Sequence, residues 1–305
     1  MTKVALCVKD INDFNRISDG EIETIEVEFV DREICEKVDG GFVQIIPYVS
    51  FSYLDQDAGR LNMVSYRRPS TGEGEERLQG NASFGFGGHI DTVEDLHFTS
   101  SEKRDDGGVV YRMTVDDIKR TAMQCATREL VEELGFDPIE ELEIPTQAIR
   151  FGLEREQEPD EVGQVHLCIS MMVSMDQKRY VDFFEKAKEA NEEEIEGLQS
   201  VTVDVGRFMG SFNVKEAMQH LTAQLETELK LEKWSVLVIT FMLTQLVEFF
   251  QTNWDFPSVM AGMMTRRQEE LTRQAAQEAA QDEATPSLQA DAANDAGTEP
   301  QAEQA

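Results

Sequence analysis

The spacing of apolar and polar residues along the chain predicts a succession of strands and helices. The strongest strand pattern runs from Phe42 to Tyr53, and residues 61–66 form the returning strand of a hairpin after a turn at 55–59. Pro47 interrupts the first of these strands, which favours a bulge or an edge position there. Shorter apolar runs predict further strands at 4–8, 22–30, 109–113, 148–153, 162–175 and 199–205.

One helix has a defined start and end in the sequence. Thr114 is followed three residues later by Asp117, an arrangement close to a capping box, and Gly135 supplies a C-terminal stop. Between these ends, apolar side chains at helical spacing predict a buried stripe made of Ile118, Ala122, Met123, Ala126, Leu130 and Leu134.

Three later helices are predicted at 178–197, 213–231 and 232–252. The apolar stretch of the last one is short and polar for a membrane span. We therefore interpret it as a core or dimer-interface helix.

Three glutamates share one end of the helix that starts after Thr114. Glu129, Glu132 and Glu133 lie at positions i, i+3 and i+4, so their like charges repel one another. They either form a solvated acidic edge or surround something positive. The second interpretation is a divalent-metal site, because hard cations such as Mg²⁺ take carboxylate oxygens as ligands.

The sequence before these glutamates bears on that choice. Residues 84–94 read Phe-Gly-Phe-Gly-Gly-His-Ile-Asp-Thr-Val-Glu, and residues 128–136 read Arg-Glu-Leu-Val-Glu-Glu-Leu-Gly-Phe. Together they resemble the Nudix box, whose pattern is Gly, five residues, Glu, seven residues, then Arg-Glu-apolar-any-Glu-Glu-any-Gly-apolar. Gly88 and Glu94 have the first spacing, and Arg128 to Phe136 match every position of the second half. Residues 95–127 number 33 where the pattern has seven, an insertion of 26 that leaves the role of Glu94 open.

The resemblance extends beyond the box, over about residues 25–245. Several segments look like a bacterial and phage Nudix subgroup: Gln44-Ile-Ile-Pro-Tyr, Glu76-Arg-Leu, Gly85-Phe-Gly-Gly-His-Ile, Val162-Gly-Gln-Val-His and Trp234-Ser. The resemblance implies an α/β fold, namely a Nudix-like α/β/α sandwich with a mixed β-sheet, followed by C-terminal helices and a disordered acidic tail.

The expected domain organisation is a single Nudix-like domain over residues 1–255. It includes an N-terminal extension at 1–40 and an insertion in the box at 95–113, which is either a lid or an edge hairpin with its tip at 105–108. Residues 256–305 begin as a helix and continue as an Ala/Gln/Glu-rich tail. That tail has too few large apolar residues to fold, so we expect it to be disordered.

The resemblance also implies a function. It is that of a metal-dependent hydrolase, with Mg²⁺ or Mn²⁺ as cofactor, that cleaves a diphosphate linkage in a nucleoside-diphosphate-linked compound. Two alternatives remain: a catalytically inactive Nudix-fold module that binds a nucleotide or a protein, and an acidic protein that mimics nucleic acid.

The resemblance implies the following site residues. The catalytic residues are Glu133, Glu129 and Arg128, with Arg128 pairing with a box glutamate to fix its position. The metal ligands are Glu129, Glu132, Glu133 and Gly87. The substrate contacts are Arg67, Arg68, Gly88, His89 and Glu94. A further acid is expected from the charged loop at 154–161, where the candidates are Glu158, Asp160 and Glu161.

Several of these residues also have a purely structural interpretation. Arg67 and Arg68 could be an ordinary solvated strand end, and the acids at 158–161 an ordinary solvated loop. His89 could contact substrate or only support the loop. His166 is interpreted as a core histidine in preference to a catalytic one.

Composition limits the partners and the compartment. The formal net charge is −32, so non-specific binding to nucleic acid or to anionic membranes is not expected. A phosphate-bearing small molecule, such as a nucleotide, would need a metal or local arginines to enter. Four scattered cysteines and the lack of a secretion signal indicate the cytoplasm. A homodimer is a further possibility, because the last predicted helix could form a dimer interface.

Overall fold

The structure is a computed structural model that describes residues 3–68, 79–154, 163–187, 195–204 and 214–253, together with residues 265, 268–269 and 272–273. Two of the sequence-based predictions fall outside these ranges. They are the candidate acids Glu158, Asp160 and Glu161, and most of the tail expected to be disordered.

The described strands and helices follow the predicted order. The strands are β1 (Val4–Val8), β2 (Ile25–Asp31), β3 (Val43–Asp55), β4 (Arg60–Arg67), β5 (Ala82–Ser83), β6 (Ser100–Lys103), β7 (Val109–Met113), β8 (Ile149–Glu154), β9 (His166–Met175) and β10 (Glu196–Asp204). The α-helices are α1 (Ile11–Ser18), α2 (Arg32–Cys35), α3 (Val115–Leu134), α4 (Pro138–Glu141), α5 (Gln177–Lys186), α6 (Val214–Leu229) and α7 (Lys233–Asn253). Each strand predicted from the apolar pattern is present, with small shifts at its ends.

All the described strands belong to one mixed sheet. Its main path runs β10-β4-β3-β1-β2-β7-β6, with β5 attached to β4 and with β9 and β8 branching from β3. The pair β3 and β9 is parallel over residues 44–53 and 166–175. The other described pairs are antiparallel.

The sheet separates two apolar cores. Along β3, Val49 and Phe51 point into one core and Tyr48 into the other, and β4 and β9 alternate in the same way. Helices α1, α3 and α5 cover the first core, and α6 and α7 cover the second. The predicted α/β/α sandwich with a mixed sheet is therefore confirmed.

Strand β3 changes its neighbour along its length, and this opens a notch in the sheet. It pairs with β1 only at Val43 and Gln44, and with β4 only from Ser52 onward. Pro47, which lacks an N–H to donate to a neighbouring strand, lies in the interval between the two pairings. The segment that follows β5 enters this notch and pairs with β3 there.

The helix α3 has the predicted caps. Thr114 Oγ1 accepts a hydrogen bond from the Asp117 N–H at 3.2 Å, and the Asp117 carboxylate accepts one from the Thr114 N–H at 3.0 Å. Gly135 ends the helix in the left-handed conformation, with φ of 79°. These two caps fix the register of the helix, and hence the direction in which its glutamates point.

The insertion predicted at 95–113 is an edge hairpin. Its strands β6 and β7 pair with each other, and β7 pairs with β2, so the hairpin extends one end of the sheet. Arg104 at its tip binds Glu28 of β2 at 2.7 Å. The strands β1 and β2, from the predicted N-terminal extension, lie inside the same sheet.

One predicted helix boundary was wrong. The helix predicted at 178–197 corresponds to α5, which ends at Lys186, and Glu196 and Gly197 belong to β10. Gly197 has φ of 62°, which a continuing helix would not allow. Pairing with β4 fixes β10 in the sheet, and that pairing involves residues far away in sequence.

The helix α7 packs in the second core through Val238, Ile239, Met242 and Leu243. No helix of the described ranges has the length and apolar character needed to cross a membrane. The four cysteines are all buried, and none of them forms a disulfide.

Replacing Gly87 should test the close approach of the inserted segment to β3. An added Cβ would lie 2.1 Å from the Pro47 carbonyl oxygen, and the φ of Gly87 is 149°. We expect Gly87→Ala to lower the free energy of unfolding by about 3 kcal/mol or more. The matched control is Gly107→Ala, with φ of 88° and open space around the Cβ, which should cost only about 1 kcal/mol. Equal losses in urea titrations would contradict this account.

Candidate functional site

The segment after β5, residues 84–90, is held between two strands at the notch in the sheet. Phe86 exchanges two backbone hydrogen bonds with Val49 of β3, at 2.7 and 2.8 Å. Further along, the Leu6 N–H of β1 donates to the Ile90 carbonyl at 2.8 Å. Phe86 and Ile90 are both fully buried, so the segment is anchored on each side of Gly87 and Gly88. We call residues 85–88 the glycine loop.

At three glycines of this loop an added Cβ would come closer than 3 Å to another group, so that group would have to move. An added Cβ would lie 2.1 Å from the Tyr48 ring at Gly85, and 2.4 Å from a carboxylate oxygen of Glu129 at Gly88. Gly87 meets the backbone of β3 in the same way. The two halves of the motif, separated by the insertion, are therefore in direct contact through Gly88 and Glu129.

Arg128 binds two of the predicted glutamates. Its Nη1 lies 2.9 Å from Glu129 Oε1 and 3.4 Å from Glu132 Oε1. The Arg128 side chain is 27% exposed, so it is held against the protein along most of its length. This contact places a positive charge between two carboxylates that would otherwise repel each other.

Two aspartates that the sequence analysis did not select complete the surroundings of Arg128. Its Nη2 lies 3.1 Å from Asp95 Oδ2 and 3.2 Å from Asp91 Oδ1. The same nitrogen donates to the His89 carbonyl at 3.2 Å. The Asp95 side chain is only 4% exposed. Its pairing with Arg128 ties the segment after the glycine loop to α3.

Glu94, which was predicted to contact substrate, is not the acid that pairs with Arg128. It is exposed in the 3-10 turn Val93–Asp95, where its N–H donates to Thr92 Oγ1. The turn brings its neighbour Asp95 to Arg128. Because the insertion begins at this point, the spacing of the motif could not distinguish the two acids.

The three glutamates of α3 differ in their environment. The Glu129 side chain is 16% exposed, that of Glu132 is 60% exposed, and Glu133 as a residue is 7% exposed. Burial raises the pKa of Glu129 to about 7; Glu132 and Asp91 add to the rise, and Arg128 opposes it. Burial therefore makes ionisation of Glu129 costly even next to the Arg128 guanidinium.

The residues fit a hard cation in chemistry but are not assembled around one. Carboxylate oxygens are the ligands that Mg²⁺ and Mn²⁺ prefer, and the backbone at Gly88 leaves the Glu129 carboxylate accessible from the loop side. Within the described ranges, however, no three His, Cys, Asp or Glu side chains are grouped closely enough to hold a metal ion. The candidate acids of the loop at 154–161 lie outside those ranges.

The two predicted arginines make contacts within the protein. Arg67 Nη1 donates to the Gly80 carbonyl at 3.1 Å. Arg68 Nε binds the carboxylate of Glu232 at 3.2 Å, and the Glu232 side chain is only 4% exposed. Arg68 is thus part of a buried network, and the described contacts do not present its Nε to a phosphate.

His89 lies in the interior with a second histidine. Burial lowers its pKa to about 3, and the nearby Arg32, His166 and Lys3 add to this, so its ring is neutral. The rings of His89 and His166 are 6.0 Å apart, and His166 Nε2 lies 3.1 Å from Gln44 Nε2. His89 therefore contacts Arg128 through its carbonyl, while its ring packs against β9.

A cavity of about 950 Å³ lies elsewhere on the sheet. It is lined by Tyr53, Asp55, Arg150, Met172 and Arg179, among others. On β3 it begins at Ser52, whereas the glycine loop contacts Pro47 and Tyr48. The cavity is therefore separate from the contact between Gly88 and Glu129.

The sequence matches no model of a known protein family, and no curated protein is similar to it. Two solved structures are similar in part, each at 15% identity. Tm1382, provisionally assigned as a Nudix hydrolase, has a TM-score of 0.39, with 80% of this chain and 99% of that chain covered. A mutT/nudix family protein from Listeria innocua has a TM-score of 0.35, with 68% and 96% covered. Both scores are too low to support a functional argument.

The contact between Asp95 and Arg128 should contribute measurably to stability. Asp95→Asn keeps the shape of the side chain but removes its charge next to a partly buried guanidinium. We expect the free energy of unfolding to fall by about 2 kcal/mol. Glu94→Gln, one residue earlier and exposed, should change it by less than about 0.5 kcal/mol. Chemical denaturation of both variants checks this, and a larger loss for Glu94→Gln would contradict the assignment.

Proposed function

We propose that this protein is a metal-dependent hydrolase of the Nudix type that cleaves a diphosphate linkage in a nucleoside-diphosphate-linked compound. The observation that carries the proposal is the contact of Gly88 with the Glu129 carboxylate, with Arg128 bound to the same glutamate. Gly88 and Glu129 are 41 positions apart in sequence, 26 of which belong to the insertion, yet the fold brings them together. A merely solvated acidic helix end would not need a glycine backbone against its carboxylate.

Mg²⁺ or Mn²⁺ would be held by Glu129, Glu132 and Glu133, with the Gly87 carbonyl as a further ligand. Glu129 and Glu132 share Arg128 Nη1, which places their carboxylates next to each other. When bound, such a cation neutralises the charge of a diphosphate and lowers the pKa of a water molecule.

The residues of the chain supply the remaining functions. Glu133 or Glu129 accepts the proton of the attacking water, since a carboxylate next to the reacting group can act as a general base. Arg128 holds Glu129 and Glu132 in place and is itself held by Asp95, so its role is orientation. The backbone of Gly88 allows the substrate to come close, because it carries no side chain.

The contacts of Arg67 and Arg68 leave substrate binding to other groups. The net charge of −32 disfavours the approach of a polyanion, so the metal becomes the main source of attraction for the phosphates. In this proposal Gly88 contacts the substrate, and Asp95 orients Arg128, which binds Glu129 and Glu132. The acids of the loop at 154–161 stay candidates for the general base.

The second candidate function is an inactive nucleotide-binding module. It is favoured by the lack of a preassembled metal cluster in the described ranges and by the pairing of Glu129 with Arg128. Such a module would bind a nucleotide and release no product. Turnover separates the two functions.

A substrate screen should show metal-dependent hydrolysis. We expect the purified protein to release a phosphate-containing product from one class among nucleoside triphosphates, dinucleoside polyphosphates, ADP-ribose, NAD and capped-RNA analogues. The product should form with Mg²⁺ or Mn²⁺ and should be absent with chelator. Glu129→Gln and Glu133→Gln should each lower kcat on the order of 100-fold or more while the protein stays folded.

The matched control for that screen is Glu140→Gln, an exposed glutamate on α4 that should leave kcat unchanged. Full activity in the Glu129→Gln and Glu133→Gln variants would overturn the site assignment. Metal-dependent thermal stabilisation by one ligand without any product would favour the binding module.

Gly88→Ala should weaken metal binding without unfolding the protein. The new Cβ would lie 2.4 Å from Glu129 Oε2 and would displace the carboxylate, whereas the backbone itself is not strained. We expect the Kd for Mn²⁺, measured by calorimetry, to rise by about tenfold or more. Gly108→Ala at the hairpin tip, where the Cβ meets only Asp106 at 3.2 Å, is the control and should bind Mn²⁺ as the wild type does.

A further inference from the structure

A second buried network lies on the other side of the glycine loop, and the proposed chemistry does not use it. Its centre is Glu232, the residue before α7, whose side chain is 4% exposed. Glu232 Oε1 accepts a hydrogen bond from the Tyr48 hydroxyl at 2.6 Å and lies 2.6 Å from Ser83 Oγ. Its other oxygen binds Arg68 Nε at 3.2 Å. A buried carboxylate with this many partners is held in one orientation.

The start of α7 also binds the backbone that leads into the glycine loop. The Glu232 N–H donates to the Ala82 carbonyl at 3.1 Å, and the Ala82 N–H donates to the Lys230 carbonyl at 3.0 Å. Two residues later, the Phe84 N–H donates to Ser235 Oγ at 2.8 Å. The segment before the loop is therefore fixed to α7 along its length.

Tyr48 connects this network to the glycine loop itself. Its hydroxyl binds Glu232, and its ring occupies the space next to Gly85, where an added Cβ would lie only 2.1 Å away. Ser83 Oγ lies 2.8 Å from the Gly85 carbonyl, and the Tyr66 hydroxyl donates to the same carbonyl at 3.2 Å. The position of Gly85 thus depends on groups that Glu232 holds in place.

The loop is short, so a shift at Gly85 reaches the site. Gly88 is three residues further on and lies against the Glu129 carboxylate. The helix α3, which carries Glu133, also approaches the network around Glu232. Burial would lower the pKa of Arg68, but Tyr66, Glu232 and Glu133 together raise it, so Glu133 lies close enough to interact with this guanidinium electrostatically.

We propose that Glu232 is a positioning residue for the candidate active site: through Tyr48 and Ser83 it sets where the glycine loop lies, and thereby sets the contact between Gly88 and Glu129. This inference rests on the proposed function for its catalytic consequence, but not for its structural content. Glu232 lies between helices α6 and α7, so the inference gives this pair of helices a role in the site. In the proposal, no residue of either helix contacts the metal or the substrate.

Glu232 needs its charge for this role. A neutral amide of the same shape has one acceptor oxygen in place of two, so it cannot accept from both Tyr48 and Arg68 in the same geometry. Arg68 would then be a partly buried guanidinium without its carboxylate, which is costly. The network would rearrange locally, and the glycine loop would lose its support.

The test compares Glu232→Gln with the wild type in the full chain. Hydrogen exchange followed by mass spectrometry should show faster exchange in peptides covering 84–90, with no change in peptides covering β6 and β7. The Kd for Mn²⁺ should rise by about tenfold, which corresponds to about 1.4 kcal/mol. With the substrate found in the screen, kcat should fall while KM changes little, because the loop supports the reaction geometry.

Two further variants keep the test decisive. Glu228→Gln, an exposed glutamate on α6 that binds Gln224 at 2.7 Å, should behave as the wild type in all measurements. If Glu232→Gln exchanges rapidly throughout the chain, Tyr48→Phe removes a single hydroxyl and should still increase exchange at 84–90.

The outcomes separate this inference from the proposed function. Unchanged exchange at 84–90 in both Glu232→Gln and Tyr48→Phe would overturn the positioning role, whatever the activity of the protein. A wild type that neither binds Mn²⁺ nor turns over any substrate would instead overturn the hydrolase, and faster exchange in the variants would then still support the positioning role.

Discussion

The candidate site depends on the change of partner along one edge of β3. Between the last residue paired with β1 and the first paired with β4, the strand has room for another segment, and the glycine loop fills it. Pro47 lies in this interval, and the loop backbone meets its carbonyl. Only glycine can come this close to β3. Without the notch, the loop could not place Gly88 against Glu129, and the two halves of the motif would stay apart.

Much of this arrangement could be predicted from local sequence patterns. The alternation along β3, the stripe on α3 and the capping residues Thr114 and Gly135 each act over a few residues, and the structure contains all of them. Short-range physical effects, namely side-chain periodicity and backbone hydrogen bonding at helix ends, determine these features.

The features that the sequence did not reveal depend on long-range contacts. The role of Asp95 depends on a turn that follows Glu94, at a point where the insertion removes any spacing constraint. The importance of Glu232 depends on Tyr48 and Arg68, which lie more than 160 residues away in the chain. The end of α5 at Lys186 was missed because β10 forms by pairing with β4.

The two carboxylate networks differ in how far their charge is compensated. Glu232 is buried and has its own arginine and three hydroxyl partners, those of Tyr48, Ser83 and Ser235, so its charge is compensated and its network holds structure in place. Around Arg128, one guanidinium serves four carboxylates, those of Asp91, Asp95, Glu129 and Glu132. Negative charge is therefore in excess at the second network, and burial makes that excess costly at Glu129. A network whose negative charge is fully compensated gains little from binding a cation. A network with excess negative charge, next to the Gly88 backbone that carries no side chain, is stabilised by one. This difference supports the proposed cation site at α3 and the proposed supporting role of the network at α7.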